Sequence, residues 1–120
     1  MPDLPVILVV EDDYQVRILI AQFLEDCGYR LALANDHDIG AQIMQALRPN
    51  LLIADVRLRG GNGHDLAKLA HAMAIPAILI SGEPIAVNLH QGGAVPFIQK
   101  PFRLSELQAT IRKLLQERRL

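Results

Sequence analysis

The sequence predicts a doubly wound α/β domain, in which helices cover both faces of one parallel sheet. Short apolar runs alternate with segments of helical periodicity along the whole chain. The apolar runs are continuous, which is typical of strands that are buried on both faces. With 51% apolar and 21% charged residues, the 120-residue chain can fill one core, and a disordered chain is excluded. We therefore expect a single domain over residues 1–120.

The first strand and helix are predicted within residues 6–28. An apolar run at residues 6–10 indicates the strand, and Asp13 can cap the helix after it, which Gly28 ends. The apolar residues of this helix recur at helical spacing and are expected to face the sheet: Val16, Leu19, Ile20, Phe23 and Leu24.

The second unit begins with a short strand at residues 31–34. Asp36 or Asp38 can cap the next helix, and Pro49 closes it. The inward positions of this helix are expected to be Ile39, Ile43, Met44 and Leu47. A third strand is predicted at residues 51–54.

A glycine-rich turn at residues 60–63 is predicted after the third strand. The next helix stops before Pro76, because the residue before a proline disfavours helical geometry. The apolar positions that mark this helix are Leu66, Leu69, Ala70 and Met73. The fourth and fifth strands are predicted at residues 77–80 and 96–99.

The last helix is predicted to start with a capping box formed by Ser105 and Gln108. Its apolar stripe is Leu107, Ile111, Leu114 and Leu115. Five strands of this kind fit a flavodoxin-like parallel sheet in the order 2-1-3-4-5. Such a sheet needs a crossover between the fourth and fifth strands. Because that segment is rich in Gly and Pro, we expect a short or irregular fourth helix near residues 85–91.

Charged side chains follow three of the predicted strands. Glu11 and Asp12 follow the first strand, Asp55 the third and Lys100 the fifth. Since the carboxyl ends of parallel strands meet at one edge of a sheet, these groups are expected to converge. Each pair of carboxylates at about 4 Å repels by about 4 kcal/mol at an effective dielectric near 20, which one ammonium group does not offset. Mg²⁺ prefers such oxygen ligands, so the sequence predicts a magnesium-dependent phosphoryl site with a carboxylate that reacts.

The composition argues against several other classes of protein. A net charge of −1 gives no basic footprint for nucleic acid, and Arg112 and Lys113 are expected on the solvated face of the last helix. One cysteine, Cys27, excludes an internal disulfide and favours a reducing compartment. The four histidines lack zinc-ligand spacing. Without a signal peptide or a long apolar run, we expect a cytoplasmic protein that contacts neither nucleic acid nor a membrane.

Five short motifs together resemble the receiver domain of two-component response regulators. They occur in order at the expected strand ends: VVEDD, PNLLIAD, RGGNG, LISG and QKPF. Each motif alone is a weak match, whereas five in order over nearly the whole chain are specific. The resemblance implies Mg²⁺ as cofactor and a histidine kinase or a histidine phosphotransfer protein as phosphodonor. It fits either a free-standing regulator or the receiver of a hybrid kinase.

The resemblance also implies roles for the acidic residues. Asp55 takes the position of the phosphoacceptor in this family. A carboxylate can serve this role because it is a competent nucleophile toward phosphorus. Asp12 resembles the direct metal ligand, Glu11 a ligand through water, and Arg57 the residue whose backbone carbonyl completes the protein's share of the metal shell. From the residues alone, Asp55 can also be a strand-end cap, and Glu11 and Asp12 can cap the first helix together with Asp13, for which we prefer that role.

Four further residues have expected roles near the phosphoryl group. Lys100 is expected to pair with the phosphoryl oxygens, and its bond to Pro101 resembles one that is cis in this family. Ser81 offers a hydroxyl donor, and Phe97 takes the position of the family's switching aromatic residue. A turn serine and a core aromatic residue stay open as alternatives.

Arg57 and Glu83 each lie two residues beyond a predicted site residue, so their side chains are expected to flank the pocket. Their opposite charges can approach one another and restrict hydrolysis of an acyl phosphate by water. Two departures from the family pattern are Arg59, where proline is usual, and the segment of residues 81–100, which is shorter than expected.

Two classes of function stay open. The first is a phosphorylation-driven switch that signals to a downstream protein, as a monomer or a weak phosphorylation-dependent dimer. The second is a degenerate receiver that acts as a phosphorylation-independent interaction module. An enzyme with a separate substrate is disfavoured, because phosphatases of the haloacid-dehalogenase type carry a second Asp where this chain has Arg57.

Overall fold

The computed structural model describes residues 4–82 and 95–118 of the chain. Its elements, in chain order, are β1 (Val6–Val10), α1 (Tyr14–Asp26), β2 (Arg30–Ala34), α2 (His37–Leu47), β3 (Leu51–Asp55), β4 (Arg57–Leu58), β5 (Gly61–Asn62), α3 (Gly63–Ala72), β6 (Ala77–Ser81), β7 (Phe97–Gln99) and α4 (Leu104–Arg118). Five of the strands form one parallel sheet in the order β2-β1-β3-β6-β7. β4 and β5 form a separate small sheet, so β6 and β7 are the fourth and fifth strands of the main sheet. The predicted flavodoxin-like order 2-1-3-4-5 is therefore confirmed.

Three of the strands are one residue longer than the sequence predicts. β2 begins at Arg30, β3 ends at Asp55 and β6 ends at Ser81. Asp55 and Ser81 therefore lie within the ladder, where Asp55 pairs with Ile80 and Ser81 with Gln99. A polar side chain on the last residue of a strand is held by that ladder more rigidly than one in a following loop.

The turn predicted at residues 60–63 is instead a short hairpin that leads directly into α3. β4 and β5 pair antiparallel, with Arg57 opposite Asn62. Gly60, at the tip of the hairpin, has a φ of 83°, which favours glycine. The side chain of Asn62 caps α3 by accepting a hydrogen bond of 2.9 Å from the backbone N–H of Asp65, and Gly63 is the first residue of the helix.

The caps of the first two helices follow the sequence prediction. Asp13 caps α1, since its side chain accepts a hydrogen bond of 3.1 Å from the N–H of Val16. Asp36, rather than Asp38, caps α2, and it accepts a bond of 2.8 Å from the N–H of Ile39.

The predicted capping box of the last helix is wrong. α4 begins at Leu104, so Ser105 lies inside the first turn instead of before it. The carbonyl of Arg103 accepts hydrogen bonds from the N–H groups of Glu106 and Leu107, at 3.0 and 3.2 Å. The sequence offered a side-chain cap, but the chain starts this helix from a backbone carbonyl two residues earlier.

The core lies in two layers, one on each face of the sheet. Leu8 and Val10 of β1 face the layer under α2 and α3, whereas Ile7 and Val9 face the layer under α1 and α4. The predicted core positions Ile20, Leu24, Met44, Leu66, Leu107 and Ile111 are buried as expected. β1 and β3 lie in the interior of the sheet, which explains why β1 is apolar at every position and β3 is apolar up to its last residue, Asp55.

Three predicted core positions are wrong. Leu19, Ile39 and Leu47 are exposed, at 55%, 40% and 47%. They belong to α1 and α2, which both pack on β2 at the edge of the sheet. A helix at an edge covers the sheet with a narrower stripe, so its flanking positions stay open to solvent.

The predicted fourth helix near residues 85–91 lies outside the described residues. None of the helices that the structure describes is long and apolar enough to span a membrane.

Candidate functional site

Four predicted site residues lie together at the carboxyl edge of the sheet. Glu11 directly follows β1, Asp55 ends β3, Ser81 ends β6 and Lys100 directly follows β7. Backbone hydrogen bonds hold this edge beyond the strands: the N–H of Glu11 donates to the carbonyl of Ala34 at 3.1 Å, and that of Lys100 to the carbonyl of Ser81 at 2.8 Å. The sheet thus fixes the backbone from which each functional side chain extends.

Lys100 bridges two carboxylates. Its Nζ donates to Oε1 of Glu11 and to Oδ2 of Asp55, at 2.9 Å in both cases. The Glu11 side chain is only 2% exposed, that of Asp55 11% and that of Lys100 27%. Two largely buried carboxyl groups therefore share one ammonium group in a weakly solvated setting, where interactions between charges are strong.

Burial and the shared hydrogen bonds shift the pKa values of Glu11 and Lys100. Burial raises the pKa of Glu11 from 4.5 to about 7, with a further contribution from nearby Asp55, although the hydrogen bond from Lys100 opposes the shift. Burial alone would lower the pKa of Lys100, but its hydrogen bonds to Glu11 and Asp55 outweigh that effect and raise it. A second cation at this place would stabilise both carboxylates in their charged form.

Asp12 completes a cluster with the geometry of a cation site. One carboxylate oxygen from each of Glu11, Asp12 and Asp55 lies within 4.8 Å of the others. Asp12 is exposed, so water has access to one side of the cluster while the other side is buried. Mg²⁺ binds through one or two carboxylates and keeps several waters, and these residues fit that ion.

The loop after β1 is held by contacts to Glu11. The N–H of Asp13 donates to Oε2 of Glu11 at 3.2 Å, in addition to the cap that Asp13 provides to α1. Nη1 of Arg17 donates to the main-chain carbonyl of Glu11 at 2.7 Å. The sequence analysis missed Arg17, because no periodicity links a side chain to a carbonyl six residues earlier.

Close packing shapes the segment after Asp55. The N–H of Gly63 donates to the carbonyl of Val56 at 2.8 Å, and a Cβ atom on Gly63 would collide with the carbonyl oxygen of Asp55. The N–H of Arg57 lies 3.4 Å from Oδ1 of Asp55, at the long end for a hydrogen bond. The absence of a side chain at Gly63 therefore lets α3 approach the backbone of Asp55. The sequence analysis placed Gly63 in a glycine-rich turn, and a run of such residues does not show which of them makes a close contact.

A cleft opens beside Asp55. It has a volume of about 350 Å³ and is lined by Asp55, Arg57, Ser81, Gly82 and Lys100. The side chains of Arg57 and Lys100 are cationic and that of Ser81 offers a hydroxyl donor, so the cleft suits an anionic ligand.

Phe97 is the first residue of β7, and Lys100 directly follows that strand. The ring of Phe97 is half-buried, and its centroid lies 5.9 Å from that of His64 on α3, with the planes tilted by 48°. The Lys100–Pro101 bond is cis, as the resemblance implies. Glu83 lies outside the described residues, so its predicted approach to Arg57 stays a prediction.

Comparison with known proteins identifies the family. The family model of the response regulator receiver domain matches residues 7–112. The C4-dicarboxylate transport transcriptional regulatory protein DctD of Pseudomonas aeruginosa is 31% identical over 95% of this chain and 26% of its own length. The nitrogen assimilation regulatory protein NtrX of Azorhizobium caulinodans is 34% identical over 95% of this chain and 27% of its own length. The chain thus spans about a quarter of the length of these two curated relatives.

The fold comparison agrees with the sequence comparison. A CheY-like response regulator receiver domain from Methanospirillum hungatei JF-1 superimposes with a TM-score of 0.88 at 28% identity, over 96% of both chains. Since the family model covers most of the chain and the fold superimposes closely on that of a solved receiver, this chain belongs to the receiver domain family of two-component response regulators.

Proposed function

We propose that this receiver is a phosphorylation-driven switch in which Asp55 accepts a phosphoryl group from a histidine kinase or a histidine phosphotransfer protein. The observation that supports this most strongly is the position of Asp55. Its carboxylate ends β3, contacts Lys100 and lines the cleft, while Glu11 and Asp12 bring two more carboxylates next to it. A nucleophile, a cation-binding cluster and an ammonium group therefore meet at the mouth of one cleft.

The transfer itself forms one bond and breaks one. A carboxylate oxygen of Asp55 forms a bond to the phosphorus of a phosphohistidine donor. The P–N bond breaks, its electron pair stays with the imidazole nitrogen, and the imidazole takes up a proton. The product is an acyl phosphate on Asp55.

Charge stabilisation comes from the groups around Asp55. Asp12 would hold Mg²⁺ directly, Glu11 through a water, and the backbone carbonyl of Arg57 would supply a third contact. When bound, the ion neutralises charge on the phosphoryl oxygens. Lys100 already lies 2.9 Å from Asp55 and pairs with a phosphoryl oxygen after transfer.

The switch would run from Ser81 to Phe97. Ser81 is buried, lines the cleft and can donate its hydroxyl to the phosphoryl group. That bond draws the end of β6 toward Asp55 and lets the ring of Phe97 turn inward from its contact with His64.

Ser81→Ala removes the hydroxyl group that would bind the phosphoryl group. The rate of hydrogen exchange at residues 97–99 should therefore change on phosphorylation in the wild type but not in Ser81→Ala. An equal change in both proteins would rule out this route.

We further propose that residues 1–120 form one receiver domain that acts in the cytoplasm, catalyses no reaction on a separate substrate and signals to a downstream protein. MtrA relatives are named DNA-binding response regulators, and this chain spans about half of their length, so the expectation of no nucleic-acid contact stays a prediction. A phosphorylation-independent interaction module is not favoured, since the chain retains the carboxylates, Ser81 and Lys100 at one site.

Phosphorylation is expected to require Mg²⁺. Incubation with acetyl phosphate should add one phosphoryl group to the intact chain in the presence of Mg²⁺, as measured by mass spectrometry, because the carboxylate cluster otherwise repels an anionic donor. Excess chelator should suppress the adduct. An equal yield with and without the chelator would contradict the proposed role of the cluster.

Asp12→Asn is expected to weaken Mg²⁺ binding far more than Asp13→Asn. Asp12 is part of the carboxylate cluster, whereas the Asp13 side chain caps α1. Each substitution removes one charge from neighbouring positions, so Asp13→Asn controls for the general loss of negative charge. A Mg²⁺ titration checks this, and equal effects of the two substitutions would show that the cluster is assigned one residue out of place.

A further inference from the structure

Arg17 lies one turn into α1, but its side chain turns back toward the site. Nη1 donates a hydrogen bond of 2.7 Å to the main-chain carbonyl of Glu11. The backbone N–H of Arg17 donates to the carbonyl of Asp13 at 2.9 Å, and its guanidinium carbon lies 5.5 Å from the centre of the Tyr14 ring. The helix backbone and the aromatic ring thus both constrain the guanidinium group.

The carbonyl that Arg17 binds lies just beyond the sheet. The pairing of β1 with β2 ends at Val10 and Ala34, and its pairing with β3 ends at Val10 and Ala54. A side chain therefore supplies the hydrogen bond that a neighbouring strand would otherwise give. Because a carbonyl and the following N–H share one rigid plane, this bond also orients the peptide that joins Glu11 to Asp12.

That orientation matters most for Asp12. The Glu11 side chain has its own contacts, to Lys100 through Oε1 and to the N–H of Asp13 through Oε2. Asp12 is exposed, and among the described hydrogen bonds the one from Arg17 acts on the peptide from which Asp12 extends. Arg17 thus holds the peptide on the N-terminal side of Asp12.

We propose that Arg17 is a positioning residue, which orients the Glu11–Asp12 peptide and so sets the affinity of the carboxylate cluster for Mg²⁺. The proposal rests on the proposed function, since it takes the cluster to be a Mg²⁺ site. Arg17 acts through the main chain and does not itself hold the ion.

The sign of the effect separates positioning from charge. Arg17 is a cation beside a cation site, so through charge alone its removal would tighten Mg²⁺ binding. Loss of positioning has the opposite sign, and removal of a group that orients a metal ligand typically weakens affinity by about 10- to 100-fold. We expect Arg17→Met to raise the Kd for Mg²⁺ by about tenfold.

The chain offers a closely matched control in Arg30. Its guanidinium also binds a backbone carbonyl, that of Leu4, with Nε at 3.0 Å and Nη2 at 2.8 Å. Arg30 pairs with Val6 at the opposite end of the sheet from the site. Arg30→Met therefore removes the same charge and the same kind of bond without touching the carboxylate cluster, and its Kd for Mg²⁺ should match that of the wild type.

The test is a titration of the isotope-labelled full chain with MgCl₂, followed by NMR at a temperature where every variant is folded. Because the Kd is measured on folded protein, a purely structural role of Arg17 leaves it unchanged. Arg17→Lys keeps the charge and can still donate a hydrogen bond, but it lacks the planar guanidinium geometry, so its Kd should lie between those of the wild type and Arg17→Met. If Arg17→Met does not fold, the Lys variant alone decides, and its Kd should exceed that of the wild type.

The outcomes distinguish the two proposals. Mg²⁺ binding by the wild type together with weaker binding by Arg17→Met and unchanged binding by Arg30→Met supports the role of Arg17. Equal or tighter binding by Arg17→Met overturns that role and leaves the Mg²⁺ site standing. If Arg17→Met does not fold, a wild-type Kd in Arg17→Lys does the same. Failure of the wild type to bind Mg²⁺ overturns both.

Discussion

Asp55→Asn is expected to reduce phosphorylation to background, even with Mg²⁺ and a phosphorylated donor in excess. The amide matches the carboxylate in size, so the end of β3 and its ladder stay in place, but it lacks the nucleophilic oxygen that forms the acyl phosphate. Incorporation of labelled phosphate from a histidine phosphotransfer protein measures the effect directly.

Asp65→Asn is the matched control for this substitution. Asp65 lies in the first turn of α3, is exposed and is not part of the carboxylate cluster. Its variant should incorporate phosphate at the wild-type level. Retention of normal phosphorylation by Asp55→Asn would mean that another residue is the acceptor.

Lys100→Met is expected to destabilise the metal-free chain by about 2–4 kcal/mol. It leaves Glu11 and Asp55 buried without the ammonium group that bridges them. Removal of one partner from a buried charge cluster costs more than the cluster itself contributes, because the remaining charges stay desolvated. Urea denaturation in the presence of a chelator measures the loss, and added Mg²⁺ should recover more stability in the variant than in the wild type.

The same variant should show a distinct pH dependence. Burial holds the pKa of Glu11 at about 7 in the folded wild type, above its usual 4.5, and loss of the Lys100 hydrogen bond raises it further. A carboxyl group with a raised folded pKa keeps its proton where the unfolded chain has lost it, so stability falls as pH rises through this range. The deficit of Lys100→Met should thus be larger at about pH 8 than at about pH 6.

Lys113→Met controls for the loss of a lysine. Lys113 is exposed on α4, away from the carboxylate cluster, so its substitution should change the free energy of unfolding by at most about 0.5 kcal/mol. If Lys100→Met is as stable as Lys113→Met in chelator, Lys100 does not stabilise the buried carboxyl groups of Glu11 and Asp55 as described.

The sheet and the charged groups at its edge were predictable from the sequence for a simple reason. Strands buried on both faces are apolar at every position, so the first polar residue after each run marks the edge of the sheet. Glu11 and Lys100 directly follow their strands, and Asp55 and Ser81 end theirs. Strand identity and the edge at which these side chains converge derive from that one pattern, whereas the strand order follows from the doubly wound arrangement that such strands adopt.

The contacts that refine the site were not predictable, because they depend on three-dimensional approach rather than on periodicity. A two-residue strand has no measurable period, so the sequence predicts a turn where β4 and β5 form a hairpin. Gly63 is required by its approach to the carbonyl of Asp55, which a glycine-rich run does not reveal. The exposure of Leu19 reflects the place of α1 at the edge of the sheet, information that the helix itself does not carry.

The phosphorylated residue can be located directly after transfer from a phosphorylated histidine donor in the presence of Mg²⁺. Reductive trapping of the acyl phosphate followed by peptide mass spectrometry identifies the modified side chain. We expect a single modified residue, Asp55, and no modification when a chelator is present. Modification of Asp12 or of a histidine, or modification of Asp55 that is independent of Mg²⁺, would contradict the role of Asp55 as the metal-dependent phosphoacceptor.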